Sequence, residues 1–346
     1  MTYAITTESL GRQFADRWAV SGLDLQIERG EVFGLLGPNG AGKTTTMRML
    51  ACLIAPSTGG ATVCGYDVLR DRTAVRKSIG ILTESPGLYE RLTARQNLEF
   101  YAKVYDLSSG QAASQIERYL KLLGLWDRRN DRAGTFSKGM QQKLSMTRAL
   151  LHEPPVVILD EPTSALDPEG AKLVRDFINS LRKEGRTIIL CTHNLSEAQG
   201  LCDRVAIIKR KLIRVGTPRE LQRALYGRHV EIRIGNALPD HADEHYGGFT
   251  GRSAGAGATM NDFAVFISTL DGVGDVVVSA DRLVVSSMEP DEITPMLVNA
   301  LVSKGADILR VAEVEHTLER AYLDLIARQE ELDLAHAVQL QTSGVA

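Results

Sequence analysis

The sequence has few cysteines, no long apolar run and almost no net charge. Its four cysteines include no Cys-x-x-Cys pair, which argues against a zinc ribbon or a disulfide scaffold and favours a reducing cytosol. No stretch reaches the roughly 18 apolar residues that a membrane span needs, so work at a membrane would require a partner or surface contact. The 40 basic and 43 acidic side chains leave a net charge of −3, which argues against a large basic surface for nucleic acid.

The composition is that of an ordinary globular protein, with 44% hydrophobic and 24% charged residues. At about 150 residues per domain, the chain is long enough for roughly two domains. Strand and helix patterns alternate up to about residue 220, which predicts an α/β domain with a mostly parallel sheet. The pattern changes near Gly216-Thr-Pro218. We therefore predict a first domain over residues 1–226, a small α+β domain over 227–330 and a frayed tail over 331–346.

A glycine-rich segment supplies the strongest motif. Gly37–Thr44 fits G-x-x-x-x-G-K-[ST], and it lies between a predicted strand at Glu31–Leu36 and a predicted helix at Lys43–Leu53. In this context the loop amides and the helix N-terminus cradle phosphates, the lysine bridges the β- and γ-phosphates, and the Thr hydroxyl ligates Mg²⁺. The nucleotide-binding residues predicted here are Gly37, Pro38, Asn39, Gly40, Ala41, Gly42, Lys43, Thr44 and Thr45. The motif alone does not separate kinases, GTPases, motors and transport ATPases.

A second segment, Val156–Glu161, completes the phosphate chemistry. An apolar strand pattern ends in Asp160 and is followed at once by Glu161. Such a strand end places Asp160 beside the phosphate loop, where it can hold Mg²⁺ through water. Glu161 is then predicted to orient or deprotonate the attacking water.

Three further pieces follow in a fixed order. Phe136-Ser-Lys-Gly-Met140 precedes a predicted helix, Ser164-Ala-Leu-Asp167 follows Glu161, and Thr192-His193 follows a predicted strand. Together with the phosphate loop, they resemble the nucleotide-binding subunits of ATP-binding-cassette (ABC) proteins over about residues 3–220. The resemblance implies a P-loop cassette with a mostly parallel core sheet and a helical subdomain, followed here by a small α+β C-terminal domain.

The resemblance assigns roles to the segment before the helix. Ser137, Lys138, Gly139 and Met140 are similar to the family's signature loop, in which Gly and Gln usually stand at the positions of Lys138 and Met140. That loop presents its hydroxyl and amides to the γ-phosphate bound by the opposite subunit, so one chain does not complete its own site. Ser137 is also predicted to cap the helix.

Other positions are assigned by the same resemblance. Asp167 is similar to the residue that couples the two sites, and His193 to a switch histidine that contacts the γ-phosphate. Phe14 is similar to the aromatic residue that stacks on adenine, which is more often Tyr. Glu84 stands where the family usually has Gln; a carboxylate there could bind Mg²⁺ more tightly but would repel the γ-phosphate.

The expected metal ligands are thus Thr44, Asp160 and Glu84, and the expected catalytic residues are Glu161 and His193. The Ser-Lys-Gly-Met segment, the Glu84 region and a C-terminal extension of about 120 residues resemble one subgroup, the ATP-binding subunits of bacterial type 2 exporters, including daunorubicin-resistance-like drug exporters. This resemblance implies an ATPase that uses MgATP. It also implies a homodimer that sandwiches two nucleotides and separate transmembrane permease subunits that hold it on the inner face of the cell membrane, in the cytoplasm.

Two alternatives remain at this stage. A cassette acting on DNA or ribosomes is disfavoured by the single ATPase unit, by the absence of a long coiled-coil insertion and by the near-neutral charge. A regulatory protein that binds ATP without using it for work is disfavoured by the intact set of Lys43, Asp160, Glu161 and His193.

Overall fold

The structure is a computed structural model that describes residues 2–83, 87–226, 228–235, 258–287, 289–314, 318–323 and 325–327. Two compact units emerge from its contacts. The first is Met1–Pro218 with Leu325–Ala346, and the second is Arg219–Asp324. The sequence-based boundary at residue 226 stays a prediction. The predicted tail, residues 331–346, lies outside the described residues.

The first unit is an α/β fold, as the sequence predicts. Its strands are β1 Tyr3–Phe14, β2 Arg17–Glu28, β3 Val32–Leu36, β4 Thr58–Val63, β5 Tyr66–Asp67, β6 Ile79–Leu82, β7 Val156–Asp160, β8 Thr187–Cys191, β9 Arg204–Lys209 and β10 Lys211–Gly216. Its helices are α1 Lys43–Leu50, α2 Arg72–Ser78, α3 Ala94–Val104, α4 Ser109–Leu122, α5 Lys138–Leu150, α6 Pro168–Lys183 and α7 Leu195–Leu201.

The central sheet has the order β10-β9-β3-β8-β7-β6, and all its pairs are parallel except β10 with β9. Every residue of β3, β7 and β8 is buried, which explains why these strands are continuous apolar runs. Because parallel strands end at the same edge, the residues that follow β3, β7 and β8 meet there. These are the phosphate loop, Glu161 and the segment with His193.

A second sheet, β2-β1-β4-β5, is antiparallel and was not predicted from the sequence. Pairing of β1 with β2 is interrupted by several register shifts, and each shift breaks the two-residue alternation that identifies a strand. Strand β2 keeps the alternation at Leu23, Leu25 and Ile27, which are all buried. Of the two strands in this hairpin, β2 is therefore the one whose sequence shows a strand pattern.

The helical part of the first unit comprises α3, α4 and α5. Thr93 and Ser108 begin α3 and α4 with capping boxes, in which side chain and backbone satisfy each other's end groups. These helices share a buried apolar cluster that includes Leu98, Leu120 and Leu144. Packing in this cluster fixes the position of α5, the helix that carries the signature residues.

Helix α8, Pro218–Tyr226, begins at the last residue of the first unit's main segment and continues into the second unit. The second unit also contains β11 Arg228–Ile234, α9 Met260–Ser268, β12 Val276–Ser279, β13 Arg282–Ser287, α10 Pro290–Ser303 and β14 Ile308–Val314. Its sheet has the antiparallel order β12-β13-β11-β14. From β11 onward the described elements follow the β-α-β-β-α-β order of a ferredoxin-like sheet. Its core includes Ile232, Phe263, Leu283 and Leu297. In the described part of the chain, no helix has both the length and the apolar character needed to cross a membrane.

His152 is a buried titratable group of the first unit. Its ring stacks on Tyr105 with the ring centroids 3.9 Å apart. Its Nε2–H donates to the carbonyl oxygen of Ile79, at 3.1 Å, and its buried Nδ1 has no partner among the described residues. Burial lowers the pKa of His152 to about 4, because desolvation disfavours the charged ring.

We therefore expect His152 to make the unfolding free energy depend on pH. Its folded-state pKa lies below the unfolded value, so its contribution is complete above about pH 6.5 and is lost as the pH falls toward 4. Urea unfolding at pH 7.5 and pH 5 should show that the wild type loses about 2 kcal/mol more than His152→Phe, which keeps an aromatic ring but cannot titrate. Equal losses in the two proteins would refute the assignment.

Candidate functional site

The phosphate loop joins β3 to α1 through a turn that requires glycine. Gly42 has a φ of 103°, and a Cβ there would lie 2.5 Å from the carbonyl oxygen of Ala19. A Cβ at Gly37 would lie 2.4 Å from the carbonyl oxygen of Ile208. Helix α1 begins directly after this turn, at Lys43. Its first backbone amides, which have no partner within the helix, therefore form a site for an anion.

Lys43 lies inside this loop with only 8% of its surface exposed. Its ammonium group donates to the carbonyl oxygens of Gly37, at 2.5 Å, and Pro38, at 3.2 Å. Two neutral carbonyls do not balance the charge of a buried ammonium group, so this environment favours an anionic third partner such as a phosphate oxygen.

Thr44 and Asp160 form a pair of oxygen donors beside the loop. The Thr44 hydroxyl donates to Asp160 Oδ2 at 3.2 Å, and Asp160 is 5% exposed at the end of β7. Carboxylate and hydroxyl oxygens suit Mg²⁺, which binds few protein groups and keeps the remainder of its ligands from water and phosphate. These two residues therefore fit the metal that the phosphate loop implies. Glu84, the third predicted ligand, lies outside the described residues.

Glu161 and His193 are in direct contact. His193 Nδ1 lies 2.7 Å from Glu161 Oε1, and the main-chain N–H of His193 donates to the same oxygen at 3.1 Å. The His193 side chain is 68% exposed, whereas that of Glu161 is 25% exposed. When Nδ1–H donates, the neutral ring keeps Nε2 as an acceptor. The pair can thus hold a carboxylate in a fixed orientation while it accepts a proton.

The backbone of Glu161 is in an unusual conformation that the sequence analysis did not anticipate. Its φ is 49°, a left-handed value that costs a residue with a side chain about 1–2 kcal/mol. The main-chain N–H of Glu161 donates to the carbonyl oxygen of Cys191 at 2.8 Å, which attaches it to the end of β8. Strain of this kind persists where the surroundings fix it, and it clusters at functional sites.

The segment that carries His193 is anchored on both sides. The Thr192 hydroxyl donates to Glu197 Oε2 at 3.0 Å, and Asn194 caps α7 by accepting from the Glu197 main-chain N–H at 3.1 Å. Burial raises the pKa of Glu197 above its ordinary value, since the charged form is desolvated. These bonds fix the backbone on either side of His193, while its exposed ring stays accessible.

One cavity of about 520 Å³ brings most of these groups together. It is lined by Phe14, Ala19, Asn39, Gly40, Ala41, Gly42, Lys43, Thr44, Thr45, Asp160, Glu161, Ser164 and His193. The Phe14 ring is 47% exposed, and the Arg12 guanidinium lies 4.7 Å from its centre. The cavity therefore joins an aromatic wall, a phosphate loop, a metal-binding pair and a carboxylate with its histidine.

The predicted signature residues are elsewhere. None of Ser137, Lys138, Gly139 and Met140 lines this cavity, and neither does Asp167. Ser137 caps α5 by accepting from the Met140 main-chain N–H at 3.2 Å, so its predicted capping role is confirmed. Gly139 lies against the loop before Asp167, since a Cβ on it would be 2.8 Å from Leu166 Cδ2. Asp167 caps α6 by accepting from the Gly170 main-chain N–H at 2.9 Å.

A second cavity, of about 300 Å³, shares Asp160, Glu161 and Ser164 with the first. Lys138, Gln141 and Gln142 of α5 also line it. The sequence pattern did not identify Ala19, Gln141 or Gln142 as neighbours of the site, and it did not single out Ser164 within its loop. Ser164 could have been found from its place in the segment after Glu161, whereas the other three reach the site only through the fold.

Comparison with known proteins agrees with this geometry. Residues 20–164 match the family described as ABC transporter. The chain is 35% identical to the daunorubicin resistance ATP-binding protein DrrA3 of Streptomyces coeruleorubidus, over 93% of this chain and 95% of that protein. It is 31% identical to the linearmycin resistance ATP-binding protein LnrL of Bacillus subtilis, over 94% of this chain and 98% of that protein.

Among solved structures, an ATP-binding subunit of an ABC transporter superposes with a TM-score of 0.61 at 30% identity. The match covers 65% of this chain and 94% of that structure.

Proposed function

This chain belongs to the ABC transporter ATP-binding family, and we propose that it is the ATP-hydrolysing subunit of an exporter whose membrane permease is a separate chain. The observation that carries the proposal is the shared cavity of Lys43, Thr44, Asp160, Glu161 and His193. A protein that only bound MgATP would need the first three of these residues, but it would have no use for a carboxylate held against a histidine.

The chain's own groups account for hydrolysis. The phosphate-loop amides and Lys43 bind the phosphates and bear the charge that develops on them. Mg²⁺, held by Thr44 and Asp160, would neutralise phosphate charge when bound. Glu161 accepts the proton of the attacking water, and His193 holds its carboxylate in place at 2.7 Å. Phe14 offers its exposed face to the adenine ring.

Two copies of the chain are required by this proposal. Ser137 and Gly139 stand at the N-terminus of α5, which favours an anion, yet they do not line the cavity that holds the phosphate loop. We infer that they contact the nucleotide of a second copy, so that two MgATP are sandwiched in a homodimer. Asp167 and its loop, which touch Gly139, then link the two sites. Removal of the γ-phosphate ends the attraction and lets the copies separate.

The exported compound is proposed by class. Two relatives that align over nearly their whole length are named for resistance to daunorubicin and to linearmycin, which supports a drug-like or antibiotic substrate. The permease would hold the chain at the inner face of the membrane. We propose that the segment Gly87–Leu98 contacts it. Tyr89 of this segment has an exposed ring that lies 5.0 Å from the exposed ring of Phe100 on α3.

The permease dependence is tested with the full chain. The candidate permease is sought as the product of a neighbouring gene that encodes six apolar spans, and the two proteins are co-expressed in membrane vesicles. We expect Mg²⁺-dependent phosphate release whose rate changes at least about two-fold when the permease is present, because docking biases the dimer equilibrium. Hydrolysis indifferent to the permease would contradict the transport role, and no hydrolysis in either setting would contradict the ATPase role as well.

A further inference from the structure

We propose that Gln142 is a positioning residue for ATP hydrolysis, because its side-chain amide holds the main chain of Glu161. The inference rests on the proposed ATPase function. Gln142 lies on the second turn of α5, outside the phosphate-loop cavity, and it is half-buried. Its Nε2 donates to the main-chain carbonyl oxygen of Glu161 at 2.7 Å, a shorter bond than the one at 3.0 Å from the Ser164 hydroxyl to the same oxygen.

Glu161 depends on such support because its backbone is strained. The left-handed φ of 49° is one that most side chains avoid. Pro162 follows, and a proline disfavours the helical region for the residue before it. The accessible alternative for Glu161 is therefore extended backbone. That rotation would re-aim the carboxylate and break its two hydrogen bonds with His193.

Hydrogen bonds to the carbonyl group of Glu161 hold its backbone in this strained conformation. Besides Gln142, the Ser164 hydroxyl donates to it at 3.0 Å, but Ser164 belongs to the same exposed loop and moves with it. Gln142 is different, because it stands on a helix in which Leu144 and Ser145 are buried. The bond to Cys191 fixes the N–H of Glu161 to β8, and Gln142 is the contact that fixes its carbonyl group to an element outside its own loop.

The position of Gln142 on α5 has a second consequence. The same helix begins at the cap residue Ser137, and its first turn carries Gly139. Any shift of α5 when these residues engage the nucleotide of a second copy would be passed to the carbonyl group of Glu161. Gln142 would in this way make the base of one site respond to occupation of the other.

Gln141 provides a matched control on the same turn. It is also half-buried, and its Nε2 also donates to a main-chain carbonyl oxygen, that of Ala133, at 3.3 Å. That bond joins α5 to the chain before the signature segment and does not reach Glu161. Gln141→Leu and Gln142→Leu therefore remove the same kind of bond from the same helix. The first variant loses the bond to Ala133, and the second loses the bond to Glu161.

The experiment measures kcat, KM, the ATP dissociation constant and the thermal midpoint of the full-length chain. We expect Gln142→Leu to lower kcat about 10–100-fold, the range found when a supporting partner of an active group is lost. Its ATP dissociation constant and thermal midpoint should stay close to the wild type, and Gln141→Leu should keep kcat within about two-fold of it. Wild-type kcat in Gln142→Leu, or an equal loss in Gln141→Leu, would overturn the proposal.

A double-mutant cycle separates positioning from a general effect on structure. If Gln142 acts through Glu161, adding Gln142→Leu to Glu161→Gln should lower single-turnover phosphate release by less than two-fold further, because the losses are not additive. Additive losses would contradict the proposal while leaving the ATPase function intact. A wild-type chain without Mg²⁺-dependent hydrolysis would instead contradict the proposed function, and this inference with it.

Discussion

Glu161→Gln is expected to lower ATP turnover by about 10²–10⁴-fold, the range that a positioned general base contributes. The amide has nearly the same shape as the carboxylate, so the contact with His193 and the backbone at Glu161 should survive. It cannot accept the proton of the attacking water. ATP binding depends on the phosphate loop and should remain within a few-fold of the wild type, as measured by fluorescent-nucleotide titration and steady-state phosphate release.

The same variant should also accumulate a dimer, because the bound nucleotide is no longer consumed. Size-exclusion chromatography with MgATP is expected to show this dimer for Glu161→Gln and to show it more weakly for the wild type. Glu28→Gln makes the same chemical change at an exposed position of β2 and should behave as the wild type. If the variant stays monomeric with MgATP, the sandwich is wrong; if its turnover is unchanged, Glu161 is not the base.

The parts of the site that the sequence predicts are those formed by residues that are contiguous in the chain. The phosphate loop needs glycines, a lysine and a threonine within one turn, so its signal is local and its context of β3 and α1 confirms the predicted strand and helix. Strands β7 and β8 were predicted because burial on both faces forces an unbroken apolar run. The order β12-β13-β11-β14 of the second unit could not be predicted, since pairing between distant strands leaves no local pattern.

What the sequence did not disclose is how the predicted residues are held. The left-handed backbone of Glu161 follows from bonds to Cys191 and Gln142, which are 30 and 19 residues away in the chain. Ala19 lines the cavity because Gly42 approaches its carbonyl group. Ala19 belongs to the β1–β2 hairpin, and the register shifts of that hairpin kept it from being predicted. Function was thus readable from residue types, whereas positioning was visible only in the fold.

Lys43→Ala is expected to abolish most ATP binding, which makes it the counterpart of Glu161→Gln. The ammonium group of Lys43 is buried and bonded only to carbonyl oxygens in the described part of the chain, so it is poised for phosphate. Removing one partner of a buried charged contact costs about 2–5 kcal/mol, which corresponds to a loss in affinity of at least about 30-fold. Equilibrium titration with a fluorescent ATP analogue in Mg²⁺ measures it.

Two controls make the Lys43 result specific. Lys211→Ala removes the same charge from an exposed position on β10 and should change the ATP dissociation constant less than two-fold. Lys43→Arg keeps the charge, but its larger planar head does not fit a site built for a compact ammonium group, so affinity should fall here as well. Unchanged ATP affinity in a folded Lys43→Ala protein would mean that the loop does not hold the phosphates. Loss in Lys43→Ala with normal binding in Lys43→Arg would mean that charge alone, and not the shape of this cradle, selects the nucleotide.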